Sequence, residues 1–208
     1  DAGDQAEAPR KAWDLLANVP FRRLLLVNWF LSACWDVHTF VLPILGHERG
    51  LSASVIGSLL GAFAIAATLV RMLMPLLAER LRETAVLTGA MLATAVLFGI
   101  YPLMPTAWAM GLCSVLLGFS LGSVQPMIMS MLHQITPHAR QGEALGLRLM
   151  SVNASSVVVP LLFGAAGAVV GVGGVFWLAG TVVGLGSRVA WTLRVAPAAP
   201  HQAADESR

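Results

Sequence analysis

Asp36 stands near the middle of Leu24–Ile44, LLLVNWFLSACWDVHTFVLPI, a run long and apolar enough to cross a bilayer. A carboxyl at that depth needs a partner, an aqueous cavity or a role in moving protons or cations, because hydrocarbon solvates no charge. At about 100° per residue, Asn28, Ser32, Trp35, Asp36, Thr39 and Pro43 fall within a stripe about 100° wide. Packing against neighbouring helices is a sufficient account of Asn28, Ser32 and Thr39, since polar intramembrane atoms are generally satisfied internally. It is a poor account of Asp36. His38 sits at the edge of the stripe, either as a proton-relay partner or as a hydrogen-bonded helix residue.

Gln125 and Asn153 are the next cavity candidates, each on a face rich in small residues. Enzyme chemistry finds less support: His133 and His138 lie near Arg140 in one break, but no helical HxxxD or HxxxH pairing and no nucleophile with a base is present. Cys34 and Cys113 fall inside apolar runs without a CxxC or a His at metal spacing, which points to inert packing. No metal, cofactor or nucleic acid is expected.

These residues must be positioned by membrane helices. The chain of 208 residues is 57% hydrophobic and 12% charged, a composition that excludes an ordinary water-soluble domain. Apolar runs of about 20 residues, each enough for one crossing, predict six helices: Leu24–Ile44, Ser54–Ala78, Ala85–Met104, Ala107–Leu132, Ala144–Val170 and Val175–Leu193. Short breaks between them imply antiparallel neighbours. Residues 1–20 read as a solvated linker with a short helix around Trp13–Leu16, and 195–208 as a disordered tail; the absence of an initiating Met or a signal peptide suggests a piece of something longer.

Arg10, Lys11, Arg22, Arg23, Arg80, Arg82, Arg140 and Arg194 fall on one side of the membrane, and Arg49 alone on the other. That bias predicts cytoplasmic termini. Arg71, Arg148 and Arg188 lie within runs but near the basic side, where long side chains reach the interface. On this reading no run carries a mid-membrane cation that would clearly hold a carboxylate.

Small residues line further faces: Gly57, Gly61, Ala64 and Thr68 with Arg71 on the second helix; Gly111, Ser114, Gly118, Gly122 and Gln125 on the fourth; Gly142, Gly146, Asn153, Ser156, Pro160, Gly164 and Gly167 on the fifth. Such faces permit close helix approach. The third and sixth helices lack them and read as supports.

The loops carry a resemblance. PLLAERLRET, with Leu77, Ala78, Glu79 and Arg80 in register and Pro75, Arg82 and Glu83 departing, resembles the signature G-x-L-A-D-R-x-G-R-R, and Pro137, Arg140, Gly142, Ala144 and Gly146 resemble P-x-x-R-x-G-x-A-x-G. Together with six helices and two basic loops, this looks like the C-terminal half of a major facilitator superfamily transporter. The resemblance implies an all-α integral membrane fold of two inverted three-helix repeats, 24–104 and 107–193, within a transmembrane unit spanning 21–194. It also implies a cavity lined by the first, second, fourth and fifth helices and closed by an absent N-terminal half.

The function that follows is proton-coupled secondary transport of a small solute, with import and export equally open, in a bacterial inner membrane. Asn28, Ser32, Trp35, Asp36, Thr39, Gln125 and Asn153 would face the solute or cation, and Arg71, Glu79, Arg80 and Arg140 would form a cytoplasmic gate. The alternatives are a non-transporting oligomeric membrane component and an integral membrane enzyme.

Overall fold

A computed structural model describes residues 12–77 and 82–193. Six α-helices follow one another: α1 (Val19–Glu48), α2 (Ala53–Leu77), α3 (Glu83–Ile100), α4 (Ala107–Gly122), α5 (Val124–Ile135) and α6 (Gln141–Trp191). Among the described residues no strand is present. Ala78, Glu79, Arg80 and the proposed tail lie outside the described residues, so the expected loop signature is only partly placed.

Membrane crossings and helices do not correspond one to one. α4 and α5 together make the fourth crossing, Ala107–Ile135, with Ser123 between them. α6 holds both the fifth and the sixth. At about 1.5 Å per residue its length exceeds two bilayer cores, and the backbone at Gly171 leaves the helix at φ 74° and ψ 169°. That region is open essentially only to glycine. A Cβ on Gly167 would lie 3.6 Å from Val175, whereas eight residues of straight helix would separate them by about 12 Å. The chain therefore reverses at Gly171, and α6 consists of two limbs, 141–170 and 172–191. The sequence placed this break in GVGG; one residue makes the turn.

α1 runs longer than expected, starting at Val19 with Pro20 in its first turn and ending at Glu48. Pro at that position is favoured because its missing N–H belongs to the helix's unbonded first turn. The preceding 3-10 helix, Ala12–Ala17, buries Leu15 in the core, so this stretch packs where a solvated linker was expected.

α1 packs chiefly on α6, α2 on α4, and α3 on α6. The α2–α4 seam is the tightest. A Cβ on Gly118 would stand 2.4 Å from the carbonyl oxygen of Phe63, and one on Gly122 would stand 2.7 Å from Ala67 Cα. Glycine here, facing Ala66 and Ala67, lets two backbones meet, the usual solution where apolar burial cannot drive helix association. Gly57, Gly61, Gly142, Gly146 and Gly164 have nothing nearby; these small-residue faces are unpacked within the described residues.

The basic ends converge. Arg23 at the start of α1 donates to the carbonyl of Thr192 at 3.4 Å. Glu83 at the start of α3 accepts from Ser130 at 3.1 Å and Gln134 at 2.8 Å, both on α5. At the opposite end Arg49 donates to the carbonyls of Pro102 and Met104. It thereby satisfies the turn Tyr101–Leu103 that follows α3.

Candidate functional site

Midway along α1 the polar stripe opens onto a cavity of about 300 Å³. α1 contributes Asn28, Ser32, Trp35 and Asp36; α2 contributes Arg71; α5 contributes Gln125; the first limb of α6 contributes Val152 and Ser156. α4 contributes Leu121, and neither α3 nor the limb 172–191 supplies a wall. This is the division of lining and supporting helices that the small-residue faces suggest.

Asp36 is 9% exposed. Ser156 Oγ approaches its Oδ2 at 3.5 Å, a long contact for a carboxylate. Among the described residues no cation stands within ion-pair distance of it. Such an acid in a membrane helix is costly unless water, a proton or a bound cation shares its site.

Arg71, grouped on sequence with the loop cations, lines the cavity instead. Its guanidinium lies 5.0 Å from the centroid of the Trp35 ring, an arrangement worth about 0.5–2 kcal/mol depending on desolvation. Its Nε has no hydrogen-bond partner among the described residues. Trp35 is itself held edge-on to Phe63, centroids 4.6 Å apart. The indole thus serves as wall and as a platform for the cation.

Gln125 presents its amide from α5, and Arg148 of α6 donates to its Oε1. Arg148 is 7% exposed and stands directly behind the lining, with its Nε unpartnered. The sequence put Arg148 near the interface, free to reach water; the fold turns it inward. Asn28 is 2% exposed, and its Nδ2 also lacks a partner.

The other candidates fall elsewhere. Thr39 donates to the carbonyl of Trp35 at 2.7 Å, which uses its hydroxyl within α1 and keeps it off the lining. Asn153 is exposed beside Val152, outside the lining. Arg140 belongs to the 3-10 turn His138–Arg140 and pairs with Glu143 at 2.7 Å. Glu79 and Arg80 lie outside the described residues.

His38 points to the opposite side of α1 and is fully buried. Ser114 Oγ lies 3.2 Å from its Nε2 and 2.8 Å from Tyr101 Oη. The imidazole stacks on Phe63 at 4.3 Å, and Tyr101 stacks on Phe176 at 5.1 Å. This chain, linking α1, α4 and the turn after α3, was missed on sequence. The available signal was the chain's one Tyr, set in the YPLMP turn.

Residues 24–208 match the family model of the Major Facilitator Superfamily. The chain belongs to this superfamily of membrane transporters. The match includes every residue that lines the cavity. None of the curated proteins matches the chain.

Proposed function

We propose that this chain is one six-helix half, the C-terminal one, of a secondary transporter that moves a small solute by alternating access and couples the movement to protons. The observation that carries the reading is Asp36, without an ion-pair partner among the described residues, beside a cavity of about 300 Å³ at mid-helix. A volume at the low end of ligand pockets suits a small solute. The site lies between the middle of α1 and the basic end of the bundle, and the bias of Arg toward that end supports cytoplasmic termini.

The open small-residue faces at Gly57 and Gly61 on α2 and at Gly142 and Gly146 on α6 are where a second half would pack. Rocking of the two halves would expose the cavity to each side in turn. Arg140, with Glu79 and Arg80, would close the cytoplasmic side.

The test is solute-driven proton movement, read by a trapped pH dye in vesicles containing the complete transporter. A panel of small organic anions and cations serves as cargo. Wild-type protein should move protons with at least one of them, and Asp36→Asn should fold normally, by helical content and elution profile, yet move none. Unchanged proton movement in Asp36→Asn would refute the role of the acid.

A further inference from the structure

We infer that the solute carries a carboxylate or a similarly flat oxyanion, received by Arg71 with Asn28 and Gln125. This rests on the reading that the cavity binds the transported solute.

The lining is rich in donors that nothing else uses. Arg71 makes no hydrogen bond or ion pair among the described residues, and its Nε is unpartnered. Asn28 is nearly inaccessible, with an Nδ2 that has no acceptor. Gln125 has its carbonyl oxygen occupied by Arg148, so the part of the amide left over is the NH2 group, a pure donor. Unmatched buried donors such as Arg71 Nε and Asn28 Nδ2 are expensive in a membrane interior, and a ligand of acceptor character relieves both while meeting the Gln125 amide.

The charge balance has the same sign. Arg71 on α2 and Arg148 on α6 bring two guanidinium groups to the cavity and the shell behind it, against one carboxylate, Asp36. His38 does not enter the balance, because it faces the other side of α1 and is engaged with Ser114. The Arg71 guanidinium lies over the Trp35 ring, 5.0 Å from its centroid, and its Nε has no partner among the described residues. The N–H fork of a guanidinium matches the two oxygens of a carboxylate.

Asp36 therefore does not hold the anion. An ionised Asp36 opposes it, so neutralising this side chain should favour binding. The coupling residue and the anion receptor are different side chains facing one cavity.

The experiment uses the complete transporter purified in detergent, with benzoate as probe and benzamide and benzylammonium as its uncharged and cationic counterparts. Binding is read by tryptophan fluorescence and by thermal protection. Benzoate should bind, and the two counterparts should bind at least about tenfold more weakly. Arg71→Gln should lower benzoate affinity about tenfold or more, Arg71→Lys should lose less, and Asp36→Asn should raise it. Arg71→Lys retains the charge and guards against misreading a folding defect. Benzylammonium binding as well as benzoate, no benzoate binding at all, or Arg71→Gln binding benzoate normally while well folded would each overturn the inference. Coupled flux of cations alone would overturn it and leave the transporter reading standing, whereas absence of flux for every solute would overturn the transporter reading and the inference with it.

Discussion

Two polar clusters occupy opposite sides of α1, and they spend their hydrogen-bonding capacity differently. Toward α4, His38, Ser114 and Tyr101 close on one another between stacked rings, beside helices that meet through Gly118 and Gly122. Toward α6, Asp36, Arg71, Asn28 and Gln125 surround open volume, with the acid and the cation unpaired among the described residues. The same penalty on polar groups in a membrane applies to both. On one side it is met by neighbours within the fold, which locks helices together. On the other it is left unmet by the described residues, which is where the proposed cargo would bind. Two residues of sequence separate Asp36 from His38, so the surroundings, and not the span, decide which role a polar residue takes.

The locked side is the easier one to break. Gly118→Leu would drive a side chain into the backbone of α2 at Phe63, and should cost about 3 kcal/mol or more, seen as loss of the folded fraction in a denaturing-detergent titration. Ser114→Ala strips both His38 and Tyr101 of a partner and should cost about 1–3 kcal/mol in the same titration. Tyr101→Phe removes only the terminal hydroxyl and should cost about 0.5–1.5 kcal/mol. On the receptive side stability should hardly respond. Asp36→Asn removes an acid without an ion-pair partner and should shift unfolding by about 1 kcal/mol or less, in either direction, while proton movement disappears. Asn153→Ala, at an exposed position off the lining, should stay within about 0.5 kcal/mol and leave benzoate binding unchanged. A receptive side as fragile as the locked one would erase the contrast.

The order of six crossings was legible because bilayer thickness sets a length that apolar runs must meet. The stripe on α1 was legible too, since helical period alone puts Asn28, Ser32, Trp35 and Asp36 on one face. What a single helix cannot announce is the direction of a long side chain. Arg71 and Arg148 sit where either could reach the basic interface, and only the packing of α2 and α6 against α1 and α5 turns them toward Trp35 and Gln125. Thr39 fails in the other direction, because its hydroxyl bonds its own helix backbone, an option open to any Thr in a helix. The triad around Ser114 joins residues 76 and 13 positions apart in the chain, a link that no local pattern encodes. The break at Ser123 was equally silent, since its backbone stays near helical values, φ −69° and ψ −20°.

The reversal at Gly171 has a mechanical consequence. A loop of several residues would let the limb 141–170 tilt while the limb 172–191 stayed still. A single residue gives almost no play. The first limb carries Ser156, beside Asp36, and Arg148, behind Gln125; the second is seated on α3, where Gly180 would bring a Cβ to 3.1 Å from the carbonyl of Ala95. Force arising at the cavity therefore has a stiff load path into the supporting scaffold, and inserting two glycines after Gly171 would put slack into that path without altering any residue that lines the cavity.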